Sequence, residues 1–147
     1  GTGCGYQTAI LSSLFDDVIS IERIETLHIR AKKTLSSFNL KNVTLIHGDG
    51  YEGYPQQSYF DAIIITAAPD RIPDKLVAQL NQNGRMILPL HHNGSQKLYR
   101  LKNTKNGIHK KEIDEHYYLR RIKTPIFHIV GKLDGTLGYE DIFIPWN

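Results

Sequence analysis

The chain has 147 residues, of which 40% are hydrophobic and 22% charged, with a formal net charge of +3. That length and mixture fit one folded domain with a sizeable core and exclude a chain too polar to fold. No apolar run approaches the ~20 residues of a bilayer-spanning helix, while the lone Cys4 excludes an internal disulfide framework and agrees with a reducing compartment such as the cytoplasm.

The first residues, "GTGCG", put glycines at positions 1, 3 and 5. They lead into a plausible helix from Tyr6 to Leu14. A loop of this kind normally follows a strand, so the chain is expected to begin just after a first strand that it does not contain. "DVISIE" is rich in β-branched residues and predicts a strand from Val18 to Glu22. Ile24, Leu27, Ala31, Leu35 and Phe38 then recur at helical spacing, with Arg30, Lys32 and Lys33 elsewhere on the surface. Asn39 can end that helix in the left-handed conformation. "NVTLIHGDG" predicts a short strand closing on Asp49 and Gly50, and the unbroken apolar run from Phe60 to Ala68 predicts a strand buried on both faces.

Pro73 suits the first turn of a further helix, with Leu76, Val77 and Leu80 facing inward and Gly84 beyond its end. Arg85 to Leu90 then reads as another strand. Strands alternating with helices imply a mainly parallel sheet over residues 1–90. In residues 91–147 the texture changes to a hairpin of two short strands turning at Asn106 and Gly107, a strand at "TPIFHIVG" and an unassigned tail. No linker or repeat separates these parts, so 1–147 reads as a single α/β domain of Rossmann-like type, with a C-terminal antiparallel portion. Without its first strand such a sheet lacks a central member, so the chain alone is expected to be weakly stable, inactive, or dependent on another chain.

In an open parallel sheet the ligand lies beyond the carboxyl ends of the strands, where glycines let it come against the backbone. Glu22 stands 19 residues after Gly3, a spacing that suits an acid accepting hydrogen bonds from ribose hydroxyls. Asp49 closes the next strand. Tyr6 occupies the place of the third glycine in the dinucleotide pattern, leaving G-x-G-x-G, and a second acid suits an adenosine ligand without phosphates. S-Adenosylmethionine, with ribose, adenine and a sulfonium cation, meets those requirements.

"GTGCGYQTAILSSLFDDVISIERI", "NVTLIHGDGYEGYP" and "YFDAIIITAAPDRIPDKLVAQLNQNGRMILPL" resemble the protein-L-isoaspartate O-methyltransferase family from its glycine motif onward. The likeness is strong to Leu90, loose to about Leu101 and weak beyond Lys123. It implies a Rossmann-like methyltransferase fold and transfer of the methyl of S-adenosyl-L-methionine to the free carboxylate of isoaspartyl residues in damaged proteins and peptides. It also implies cofactor contacts from Gly1, Thr2, Gly3 and Gly5, ribose binding at Glu22 with Arg23 beside it, and adenine at Asp49 and Gly50. Thr66 and Ala67, with Ala68, would floor the crevice. No residue inherits a catalytic role, because the family's serine-bearing segment lies upstream of the glycine motif. Another small-molecule methyltransferase of the same fold, or a nucleic-acid-binding module using the basic hairpin, are the competing readings.

The remaining candidates have duller explanations. His91 and His92 are adjacent and would face opposite ways in a strand, with no zinc-site spacing nearby, so no metal is expected. Lys97, Arg100, Lys102, Lys105, Lys110 and Lys111 alternate with apolar residues and read as an exposed hairpin face, so neither nucleic acid nor membrane is an expected partner. Cys4 reads as a small packing residue, and Tyr117 and Tyr118 likewise.

Overall fold

A computed structural model of the chain describes residues 1–56, 59–92, 94–113 and 130–132. In chain order these form α1 (Tyr6–Ser12), β1 (Asp17–Glu22), α2 (Glu25–Ser36), β2 (Val43–His47), a 3-10 turn (Gly50–Glu52), β3 (Phe60–Ile64), α3 (Asp74–Ala78), β4 (Leu80–His92), β5 (Ser95–Thr104), β6 (Gly107–Ile113) and β7 (Val130–Lys132). One sheet holds the strands in the order β2-β1-β7-β3-β4-β5-β6. β1 with β2 and β3 with β4 are parallel, and β4, β5 and β6 form an antiparallel meander. The expected parallel sheet with an antiparallel end is present.

The centre differs from expectation. The sequence predicts a sheet lacking a central member, whereas β7 lies between β1 and β3, antiparallel to both. Among the described residues, β7 pairs with Asp17 to Ile19 on one side and with Ala62 and Ile63 on the other. The remainder of "TPIFHIVG", Tyr117, Tyr118 and the tail lie outside the described residues.

Two clusters of side chains sandwich the sheet. Phe60, Ile63, Met86, Leu88, Tyr99 and Leu101 pack with Leu76 of α3 and Ile19 of β1 on one face, while Leu11 and Phe15 pack on Val18 on the other. Met86, Leu88 and Leu101 are completely buried. Truncating Met86 to Ala is expected to lower unfolding free energy by about 2–5 kcal/mol, read from the denaturant midpoint at unchanged slope.

Several expectations need correction. β3 ends at Ile64, short of Ala68, and Leu80 lies in β4 opposite Phe60 instead of facing inward from a helix. The register jumps from Phe60↔Leu80 to Ala62↔Arg85, so Asn81 to Gly84 bulge out, with Asn83 at φ 66°. Gly84 therefore serves a bulge and not a helix end: a Cβ there would lie 2.9 Å from the carbonyl oxygens of both Asn81 and Phe60. α3 is accordingly five residues long and Pro73 is its N-cap. The hairpin turn is Lys105–Asn106, one residue early, and Gly107 opens β6 at φ 104°; both strands are longer than expected. Ile24 and Phe38 are exposed, since α2 buries only Ala31 and Leu35. Cys4 is also exposed, bordering a hollow between α1 and α2 beside Tyr6, Ile10, Arg30 and Phe38. Asn39 does end its segment left-handed, at φ 50°.

Candidate functional site

A cavity of about 480 Å³ opens at the carboxyl ends of β1 and β3. That volume lies in the range of small-ligand sites. Ile19, Phe60, Ile63 and Leu76 give it an apolar floor, and Gly1, Glu22, Arg23, Asp49, Gly50 and Ala67 stand around it.

The glycine loop is bound to the end of β1 through Glu22. The Gly3 N–H donates to Glu22 Oε2 at 2.9 Å, and the Ile24 N–H donates to Glu22 Oε1 at 2.9 Å. Each carboxylate oxygen keeps a further lone pair, and the side chain borders the cavity, so Glu22 can still accept from a ligand hydroxyl. Burial by itself would push the Glu22 carboxyl up, but the N–H groups of Gly3 and Ile24, together with the Gly1 amino group and the Arg23 N–H, outweigh it and hold it below its ordinary value. The acid is therefore charged when a ligand arrives at neutral pH.

Gly3 and Gly5 are where the loop's glycines are required. Their φ angles are 56° and 87°. Gly5 also caps α1 against α2, where an added Cβ would lie 2.9 Å from Leu35 Cγ. Gly1 meets the ligand side: a Cβ there would lie 3.2 Å from Glu22 Oε2.

Beneath the loop lies a buried hydroxyl cluster that sequence reasoning missed. Thr8 Oγ1 of α1 donates to Ser20 Oγ of β1 at 3.3 Å, and Ser20 Oγ lies 2.7 Å from Thr2 Oγ1. All three residues are no more than 4% exposed. Ser20 thus joins the loop, α1 and β1. The available signal was one small polar residue inside the otherwise apolar "VISI". Replacing Ser20 by Ala leaves the Thr2 and Thr8 hydroxyls without that partner, with an expected loss of about 1–3 kcal/mol in a denaturant melt.

Asp49 reaches the same cavity from β2. Its Oδ1 accepts from the Tyr51 N–H at 2.9 Å, starting the 3-10 turn and holding Gly50 and Tyr51 at the rim. The Gly48 N–H donates to the Glu22 carbonyl at 3.0 Å, and His47 Nε2 lies 3.2 Å from the Arg23 carbonyl, so the two acid-bearing strand ends are tied together. On the opposite wall the Tyr54 N–H donates to Gln79 Oε1 at 3.0 Å.

The structure thus brings Gly1, Glu22, Arg23, Asp49, Gly50 and Ala67 around one cavity, with Gly3 one hydrogen bond behind. Thr2 is buried under the loop, Gly5 sits at the α1–α2 contact, and Thr66 is outside the lining. Ala67 is exposed, so it forms rim and not floor. The floor is supplied by the core residues above, because β3 ends two residues before Thr66. Among the described residues no group of three or more His, Cys, Asp or Glu could hold a metal, and no helix is long and apolar enough to cross a membrane.

A family model for protein-L-isoaspartate(D-aspartate) O-methyltransferase matches residues 1–123. The chain belongs to that family. It is 46% identical over 114 residues to a protein-L-isoaspartate O-methyltransferase of Pseudoalteromonas atlantica, covering 78% of this chain and 53% of the relative, and 47% identical over 114 residues to that of Photorhabdus laumondii, covering 78% and 54%. The chain therefore spans about half the length of the curated relatives it matches. Among solved structures, a protein-L-isoaspartate O-methyltransferase superposes with a TM-score of 0.70 at 25% identity, over 94% of this chain and 41% of the other. A Plasmodium falciparum protein assigned to the same family and crystallised with S-adenosyl-L-homocysteine gives 0.55 at 27% identity, over 65% and 47%. An S-adenosylmethionine-dependent O-methyltransferase of Thermotoga maritima, 18% identical with a TM-score of 0.56 over 94% of this chain and 59% of the other, shares the fold.

Proposed function

We propose that the chain forms the S-adenosyl-L-methionine site of an enzyme that methylates the free carboxylate of isoaspartyl residues in damaged proteins and peptides, working in the cytoplasm. The observation that carries this is the meeting of Glu22, already fixed by the Gly3 N–H, with Asp49 around one cavity. The donor set suits the cofactor: spare lone pairs on Glu22 face hydroxyls, Asp49 and Gly50 border an opening wide enough for a base, and two carboxylates favour a cation over a phosphate. Bound there, the cofactor supplies an electrophilic methyl group on sulfonium.

The chain's own residues then have a limited task. A carboxylate acceptor with a reference pKa near ~4 is ionised at neutral pH, so no general base is asked of the protein. The apolar floor of Ile19, Phe60, Ile63 and Leu76 keeps water out, which favours a step that neutralises opposite charges, and the rigid loop fixes direction of approach.

Calorimetric titration with S-adenosyl-L-homocysteine tests the reading: saturable binding to this chain is expected, and tight binding of a nicotinamide dinucleotide in its place would end it. Comparing isoaspartyl with ordinary aspartyl peptides as acceptors separates this activity from small-molecule methylation.

A further inference from the structure

The antiparallel end of the sheet carries a charge arrangement that the cofactor site does not use. Ile64, Ile87, Arg100 and Lys111 are successive partners in one row across β3 to β6, and Ala62, Arg85, Lys102 and His109 form the next row. Cross-strand partners share a face of the sheet. Met86, Leu88, Tyr99 and Leu101 lie on the opposite face, within the core. Arg100, His109 and Lys111 are exposed and Lys102 is half-buried.

Arg100 therefore stands directly opposite Lys111, and Lys102 opposite His109. Arg100 and Lys111, like charges so placed, oppose sheet formation. Two other hairpin cations have local explanations on the far face: Lys97 pairs with Glu112 at 2.7 Å, and the Lys110 ammonium lies 3.9 Å from the Tyr99 ring centre. Protection of a free edge by lysine accounts for Lys111 on β6. It does not account for Arg100 and Lys102, because β5 is covered by strands on both sides.

Position links these cations to the cavity. Ile64 lines the cavity and heads the row that contains Arg100 and Lys111. With strands about 4.8 Å apart, Arg100 stands roughly 10 Å and Lys111 roughly 14 Å along that row. An extended chain advances about 3.3 Å per residue, so a peptide that leaves the cavity over the carboxyl end of β3, onto the face opposite the cavity floor, spans the distance along the row in three or four residues. Neither row holds a Phe, Tyr or Trp for single-stranded bases to stack on.

We infer that this face is a docking surface for an extended acidic stretch of a protein substrate, with carboxylates seated on Arg100–Lys111 and Lys102–His109. The choice of a protein partner rests on the proposed function. The test uses a fluorescent peptide alternating Glu and Ser, its Gln analogue, and an oligothymidylate of equal charge, each titrated into the full chain, with S-adenosyl-L-homocysteine titrated in parallel. The Glu peptide is expected to bind about tenfold more tightly than the Gln analogue and to weaken severalfold between 50 and 200 mM salt. R100E is expected to remove most of that preference, leave S-adenosyl-L-homocysteine binding unchanged, and hold or raise the melting midpoint, since it relieves the opposition to Lys111. Equal binding of the Glu and Gln peptides, an unaltered preference in R100E, or tighter binding of the oligonucleotide would overturn the docking surface. S-Adenosyl-L-homocysteine bound without a Glu preference defeats this inference alone, whereas no S-adenosyl-L-homocysteine binding defeats the proposed function.

Discussion

Glu22→Gln is expected to weaken S-adenosyl-L-homocysteine binding by tenfold to a hundredfold, roughly, and to lower stability by about 2 kcal/mol. The carboxylate receives the N–H groups of Gly3 and Ile24 on separate oxygens. An amide of the same shape has one oxygen and one NH2, so one of those donors then faces another donor in a buried setting. The loop loses its tie to β1, and the ligand loses a charged acceptor. The pH dependence follows from the lowered carboxyl value. A depressed acid contributes stability that is complete above its unfolded pKa of about 4.3 and is lost as pH falls through the lower folded value. Denaturant melts below about pH 5 are therefore expected to show a steeper loss in the native chain than in Glu22→Gln. Parallel curves would show that the two N–H groups do not hold the charge.

Gly5→Ala is expected to cost about 2–4 kcal/mol, against about 1 kcal/mol for Gly3→Ala. Both positions have left-handed backbone, so both variants carry the same kind of strain. They differ in surroundings: a Cβ at Gly3 meets nothing within 4 Å, whereas one at Gly5 comes 2.9 Å from Leu35 Cγ and 3.0 Å from its Cδ1. Leu35 is 5% exposed and cannot swing into solvent without leaving the core. Combining Gly5→Ala with Leu35→Ala is expected to cost less than the two separate losses added together. Strict additivity in melts of the four proteins would locate the Gly5 requirement in backbone strain alone.

Residues whose local pattern decides their structure were legible in the sequence. The β-branched "DVISIE", the helical repeat of Ala31 and Leu35, and the turn before Gly107 each carry their geometry within a few residues. The spacing of the glycine loop, Glu22 and Asp49 was equally readable, since the end of one parallel strand lies beside the end of the next. What stayed hidden depends on distant partners. Leu80 looks helical beside Leu76 and Val77, yet pairing with Phe60 and the tight approach at Gly84 draw it into β4. Ser20 matters through Thr2 and Thr8, 18 and 12 residues away, which no local pattern encodes. The placement of β7 is a further case: three residues, Val130–Lys132, offer no periodicity, and only the slot between β1 and β3 selects them.

That short strand also decides where the molecule opens. Among the described residues, β1 with β2 joins the rest of the sheet through three register pairs on one side of β7 and two on the other, against eight between β4 and β5. The β1–β2 ribbon is thus expected to open more readily than the meander, its amides exchanging with solvent deuterium first. Glu22 and Asp49 travel with the ribbon, while Ile64 and Ala67 stay on the other bank. A ligand that touches both banks acts as a clasp, and its occupancy is measurable as slowed exchange throughout the ribbon, far beyond the residues it contacts.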